Sequence, residues 1–159
     1  MKQALNLSVN GQQWPLEVEP HLALSECLRE ELALTGVRVS CNQGHCGACT
    51  VLLDGEPVNA CMMLAVDAAG KQITTIEGLA QEGKLHPLQQ AFIDNHGMQC
   101  GYCTPGMILS AKALLDQNPR PTEPEIREGL AGNLCRCGSY QKIIKSVESA
   151  AKAMETSRP

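Results

Sequence analysis

Along the first half of the chain hydrophobic and polar residues alternate. Along the second half the hydrophobic ones recur every three or four positions. Leu5, Leu7 and Val9 share one face of the segment from Ala4 to Val9, and Trp14, Leu16 and Val18 resume the alternation after Asn10-Gly11. Period two is the mark of a half-buried strand, and Asn-Gly between two such runs signals a type I′ hairpin. Ser25 reads as the N-cap of a helix running to about Ala33, with Gly36 just past its end. Thr50 to Leu53 reads as a strand, Asp54-Gly55 as a turn, Val58 to Cys61 as a short strand, and Gln72 to Ile76 as the strand that closes the sheet.

After Gly78 the period changes. Pro87 to Asn95 is a first amphipathic helix. Thr104 reads as the cap of a second, with Pro105 in its first position and Ile108, Ala111, Leu114 and Leu115 as its buried stripe. Thr122-Glu123-Pro124-Glu125 is a capping box for a third helix, ending near Gly132. Tyr140 to Met154 is the fourth, with Ile143, Ile144, Val147 and Ala151 at helical spacing. Gly and charged residues cluster over residues 77–85. The predicted division is therefore residues 1–78, carrying the strands, and residues 79–159, carrying a small four-helix bundle. The class is α+β. Glu155 to Pro159 are expected to fray.

Composition narrows this picture. The chain has 159 residues, 43% of them hydrophobic but only 3% aromatic, so its core must be built from Leu, Val, Ile, Ala and Met. A net charge of −4 without a long basic run argues against nucleic acid as a partner. No run of eighteen apolar residues is present, so no membrane insertion is expected. The N-terminal segment lacks the features of an export signal, which places the chain in the cytoplasm. Nine cysteines in a cytoplasmic chain point to metal or redox chemistry rather than structural disulfides.

Eight of those cysteines fall into two sets. Cys41, Cys46, Cys49 and Cys61 stand as C-x4-C-x2-C-x11-C, and Cys100, Cys103, Cys135 and Cys137 as C-x2-C-x31-C-x-C. The first is the known plant-type [2Fe-2S] spacing. Three thiolates from one short loop must wrap the cluster; Gly44, Gly47 and Ala48 keep that loop free of bulk, and glycines allow backbone N–H groups to turn toward sulfur. Cys61 is expected from the following strand. In the second set each cysteine pair precedes a predicted helix, whose positive N-terminal end favours an anionic thiolate cluster. Zinc fits poorly, because a four-cysteine zinc site prefers paired C-x2–4-C knuckles. The C-x2-C-x2-C run of [4Fe-4S] sites is absent. Cys27 lies outside both spacings and reads as a small buried hydrophobe. His45, inside the first loop, reads as a donor near the cluster or as simply exposed. Lys142, Lys145 and Lys152 form a solvated helix face.

CNQGHCGACTVL at 41–52, QCGYCTPG at 99–106 and GNLCRCG at 132–138 together resemble the small iron–sulfur subunit of the molybdenum hydroxylases, the xanthine dehydrogenase, aldehyde oxidase and carbon monoxide dehydrogenase family. The resemblance runs from about residue 3 to residue 153. It implies an N-terminal β-grasp, plant-type ferredoxin domain followed by a four-helix domain, each with one [2Fe-2S] cluster. It implies a large molybdopterin-binding partner subunit where substrate reacts, and a medium FAD subunit that receives the electrons. Gln99 matches the position whose side chain binds the pterin, and Cys137 the ligand that hydrogen-bonds the pterin amine. Cys137-Gly138-Ser139-Tyr140 departs from the commoner C-T-G-Y. A similar variant occurs in members that deliver electrons to a cytochrome, so the acceptor reading is FAD or a cytochrome. No catalytic acid, base or nucleophile is expected in this chain. A free two-cluster ferredoxin is the alternative. Met98, Tyr102, Pro105, Gly106, Met107, Leu134 and Gly138 are expected to form an apolar face toward the large partner.

Overall fold

A computed structural model describes residues 1–156. Strands β1 (Gln3–Val9), β2 (Gln12–Val18), β3 (Thr50–Leu53), β4 (Glu56–Asn59) and β5 (Gln72–Thr74) form one sheet in the order β2-β1-β5-β3-β4. β1 pairs antiparallel with β2, placing Leu7 opposite Trp14, and parallel with β5. β3 pairs antiparallel with both β4 and β5. The two expected hairpin turns form with positive φ at both central residues, 52° and 78° at Asn10 and Gly11, 52° and 89° at Asp54 and Gly55. That is the conformation a type I′ turn requires. Asn10 also donates to Thr75 Oγ1 and accepts from the Thr75 N–H, each at 2.9 Å, which ties the first turn to the end of β5.

The first helix differs from its prediction. α1 spans Leu24–Glu26 and widens into a π-helical turn over Cys27–Glu31. Ser25 is buried inside it and does not cap it. The position before the helix is Ala23, and the Leu24 N–H is satisfied by the Met63 carbonyl at 2.7 Å. A tertiary partner thus does what a capping side chain would do. The chain leaves the helix through Ala33 at φ 55°, not through Gly36. Gly36 serves packing instead: a Cβ there would lie 2.3 Å from Ile76, and its N–H donates to Glu77 at 2.7 Å.

Smaller corrections follow from local geometry. β4 ends at Asn59, and Cys61 sits in a 3-10 turn over Ala60–Met62 rather than on a strand. β5 ends at Thr74, before a second such turn over Ile76–Gly78. The helices beyond it are α2 (Pro87–Asp94), α3 (Thr104–Gln117), α4 (Glu123–Gly129) and α5 (Tyr140–Thr156). α3 is preceded by Cys103, so Thr104 is its first residue and not its cap. The Thr122–Glu125 capping box forms, but α4 stops at Gly129 rather than Gly132. α5 keeps Glu155 and Thr156 helical; the rest of the expected frayed end lies outside the described residues. α2 carries a capping box that the hydrophobic pattern does not reveal: His86 Nδ1 accepts from the Leu88 N–H at 3.2 Å, and Gln89 accepts from the His86 N–H at 2.9 Å.

Two hydrophobic cores result. One, built on Leu7, Val9, Leu24, Leu28, Val51 and Ile73, lies between the sheet and α1. The other gathers Leu88, Phe92, Met107, Leu115, Ile126 and Ile143 from the four later helices. β3 belongs to both, because Val51 and Leu53 point into the first core and Leu52 into the second. All four β3 residues are buried, as expected of a strand covered on both faces. α3 packs on β3, which brings the loop before β3 against the start of α3.

Candidate cluster-binding sites

The loop between α1 and β3 supplies Cys41, Cys46 and Cys49 of the first set, and the 3-10 turn after β4 supplies Cys61. The thiols of this set meet in pairs: Cys46 against Cys41, and Cys61 against Cys49. Backbone N–H groups of Gln43 and His45 donate to Cys41 Sγ, each at 3.4 Å. The Gln43 N–H leads these effects, followed by Cys46, and Cys41 is lowered to about 6. Cys49 goes the other way, pushed up to about 11 by burial. Gly44 and Gly47 take φ of 74° and 68°. A Cβ on Gly47 would lie 2.3 Å from the Gly132 carbonyl oxygen. The cradle admits no side chain there.

The second set lies at two helix starts. The Cys103 carbonyl accepts from Met107 N–H at 3.0 Å, opening α3, and the Ser139 carbonyl accepts from Ile143 N–H at 2.9 Å, opening α5. Cys100 contacts Cys137, and Cys103 contacts Cys135. The Tyr102 N–H, then Cys137, lower Cys100. Burial pushes Cys135 up, but N–H groups of Ser139, Cys137 and Gly138, with Cys103, outweigh it and lower it. Cys103 is pushed up to about 12, first by burial and then by Cys135. Tyr140 fixes the loop by accepting from the Cys135 N–H at 2.8 Å.

The thiols of each set meet in pairs rather than at one point. Among the described residues no three His, Cys, Asp or Glu side chains converge as ligands of a single ion. A [2Fe-2S] group places two protein ligands on each iron, so four thiols grouped as two neighbouring pairs, with N–H groups aimed at sulfur, fit it.

A cleft of about 350 Å³ lies where the sets meet, lined by Cys46 and Ala48 from one loop and by Cys100, Cys103, Cys135 and Leu134 from the other segments. The Leu134 N–H donates to the Cys46 carbonyl at 2.9 Å, one residue before Cys135, so a single backbone hydrogen bond joins the two ligand loops. Asn133 locks this junction. It is 5% exposed, donates to the Gly47 carbonyl at 3.0 Å and accepts from Ser110 Oγ at 2.7 Å. The motif at 132–138 contains Asn133, but sequence reasoning assigns it no role; the signal available was a lone amide side chain wedged between Gly132 and the Leu134-Cys135 pair. Tyr102 crosses the junction as well, donating to the Val39 carbonyl at 2.6 Å.

Gln99 and Cys137, expected as pterin contacts, come together: Gln99 Nε2 donates to the Cys137 carbonyl at 3.4 Å, and both are exposed. Around them Met98, Tyr102, Leu134 and Gly138 are exposed, and Pro105 is half-buried. Gly106 and Met107 do not belong to this face. Gly106 is buried where a Cβ would lie 2.4 Å from the Gly47 carbonyl, and Met107 is wholly inside the second core. His45 is exposed, and its contribution is the backbone N–H. Cys27 is 0% exposed and far into the first core, where burial first and Glu31 second push its thiol up to about 11. Cys27→Ser is expected to leave iron content and both EPR signals unchanged while costing about 1–3 kcal/mol for the buried hydroxyl. A folded variant lacking one EPR signal would contradict this.

Comparison with known proteins follows the same division. Residues 7–76 match a 2Fe-2S iron-sulfur cluster binding domain, and residues 75–148 a [2Fe-2S] binding domain. The chain is 52% identical to a probable xanthine dehydrogenase subunit of Bacillus subtilis, over 91% of this chain and 83% of that protein. It is 50% identical to the nicotinate dehydrogenase small FeS subunit of Eubacterium barkeri, over 95% of this chain and 96% of that one. Among solved structures, a chain of quinoline 2-oxidoreductase from Pseudomonas putida 86 superposes with a TM-score of 0.94 at 42% identity, covering 99% of both chains. Aldehyde oxidoreductase from Desulfovibrio gigas superposes at 0.92 and 44% identity, with 99% of this chain on 18% of that one.

Proposed function

Since this chain belongs to the family of two-cluster iron–sulfur subunits of the xanthine, nicotinate and aldehyde dehydrogenases, we propose that it is the electron conduit of such a complex. It accepts electrons from a molybdenum–pterin centre on a large partner subunit and hands them, through two [2Fe-2S] clusters, to FAD on a medium subunit or to a cytochrome. The observation that carries this reading is the cleft between the sets: Cys46 of the first and Cys100, Cys103 and Cys135 of the second line it, and the Leu134–Cys46 hydrogen bond joins their loops. That the relatives are subunits, and not free carriers, disfavours a free ferredoxin.

Residues 1–78 form the β-grasp ferredoxin domain in this proposal and residues 79–159 the four-helix bundle. Cys41, Cys46, Cys49 and Cys61 hold one cluster; Cys100, Cys103, Cys135 and Cys137 hold the other. Each group, when bound, supplies reversible one-electron storage on its iron pair. The chain's own residues do the rest. Gln43 and His45 N–H groups offset negative charge at Cys41. Asn133 holds the two loops in register. Met98, Tyr102 and Leu134 shield the exposed Cys100 and Cys137 once the large subunit covers them. Substrate choice rests with that subunit. Nine cysteines used for metal binding rather than disulfides suit the cytoplasm, and among the described residues no helix is long and apolar enough to cross a membrane.

The test is coexpression with the large subunit, followed by iron and sulfide analysis and EPR of the substrate-reduced complex. Two distinct [2Fe-2S] signals, both reduced by substrate, are expected. Stoichiometric zinc, or a chain that fails to copurify, would end the proposal. Gln99→Ala should retain both signals while losing about 1–3 kcal/mol of pterin contact, a roughly five- to hundredfold fall in turnover. Wild-type turnover with full pterin retention would remove Gln99 from the contact.

A further inference from the structure

Buried polar side chains in this chain almost all have partners. Ser110 donates to Asn133, Thr50 to the Gly47 carbonyl, and Ser146 to the Lys142 carbonyl. Among the described residues three buried side-chain polar atoms have none: Arg38 Nε, Thr104 Oγ1 and Ser139 Oγ. Arg38 lies over the Tyr102 ring, 5.5 Å from its centroid, which accounts for its position. The two hydroxyls have no such account. Thr104 is 8% exposed and Ser139 4%. Leaving a hydroxyl buried and unpaired costs about 1–3 kcal/mol.

Both hydroxyls pass over the local partners open to them. Ser139 stands at the N-cap of α5, since its carbonyl takes the first helical bond from Ile143. A serine there ordinarily turns its oxygen to an N–H of the first turn; the Ser139 hydroxyl makes no such bond. Thr104 is the first residue of α3, and its hydroxyl likewise bonds to no group of the helix it opens. What the two positions share is the second cysteine set. Thr104 directly follows Cys103, and Ser139 follows Cys137-Gly138 with its own N–H directed at the Cys135 thiol. Neither hydroxyl is bonded to a cysteine sulfur, so the acceptor left to both beside this set is the sulfide of the group the four thiols would hold.

We propose that the Thr104 and Ser139 hydroxyls donate hydrogen bonds to the inorganic sulfide of the [2Fe-2S] group that Cys100, Cys103, Cys135 and Cys137 would hold, and thereby raise its reduction potential. This rests on the two-cluster function proposed above. An added electron makes the group more negative, so a fixed O–H donor stabilises the reduced form more than the oxidised one. The effect is confined to the second set, because neither hydroxyl lies in the first loop.

The experiment is EPR-monitored redox titration of the intact complex carrying Thr104→Val, Ser139→Ala or both, with the first cluster in the same sample as internal reference. The second cluster's potential should fall in each single variant. In the double variant its reduction equilibrium should weaken roughly tenfold, which is 59 mV for one electron. Thr104→Ser, which keeps the hydroxyl, should hold the wild-type potential. If a variant sheds the second cluster, pulsed EPR of the wild type in D2O decides: an exchangeable proton coupled to that reduced cluster, lost in whichever variant retains it, supports the proposal, and its absence overturns it. Unchanged potentials in cluster-replete variants, or equal shifts of both clusters, also overturn it. A wild-type complex lacking the second EPR signal would instead overturn the two-cluster reading itself.

Discussion

Gly47→Ala is expected to lower the thermal midpoint of the chain by roughly 6–12 °C and to strip the first cluster preferentially. The added Cβ would lie 2.3 Å from the Gly132 carbonyl oxygen and 2.7 Å from Asn133 Nδ2. The first of these is backbone, so relief requires the two ligand loops to move apart. The residue also holds φ at 68°, which a Cβ disfavours. Overpacking costs about 1–3 kcal/mol, and left-handed backbone adds about 1–2 kcal/mol. The total is therefore about 3 kcal/mol, at roughly 2–4 °C for each in a domain of this size. Gly11→Ala is the control, since its φ of 78° is similar but nothing lies within 4 Å of its Cβ. It should show the backbone part alone. Equal losses from both variants would mean that the junction at Gly47 is not tight.

Cys103→Ser is expected to remove the second cluster with about half of the iron, leaving the first EPR signal intact and stopping substrate-driven reduction of it. Cys103 sits at the start of α3 in contact with Cys135. A serine hydroxyl does not replace a thiolate as an iron ligand of comparable strength, and each neighbouring thiol is already assigned as a ligand. Cys61→Ser is the converse experiment and should delete the first signal alone. If Cys103→Ser kept both signals and normal turnover, the assignment of ligands to two separate sets would be wrong.

Much of this was legible in the chain itself. Alternation placed β1 and β2, and Asn10-Gly11 and Asp54-Gly55 marked the turns after β1 and β3, because strand periodicity and hairpin chemistry are local. The cysteine spacings separated the two sets for the same reason. What escaped was tertiary. Ser25 looks like a cap, yet the Met63 carbonyl takes that role from a distant part of the chain. Gly36 looks like a helix stop, yet it is there to let Ile76 and Glu77 approach. Met107 looks like part of a docking face, yet α3 turns it inward. Asn133 carries no periodicity and no motif of its own; its importance is visible only once Gly47 and Ser110 are placed beside it.

The Leu134–Cys46 hydrogen bond makes the junction measurable. Its donor belongs to a residue that is 54% exposed, and its acceptor to the opposite ligand loop. Its proton can exchange with water only when the two halves part. Deuterium uptake at Leu134 therefore reads out how often the two cluster sites separate, a local opening distinct from global unfolding. Amides inside β3, held between two cores, exchange only in the deeper event, whereas the Leu134 rate set against its own unprotected rate gives the free energy that keeps the junction closed.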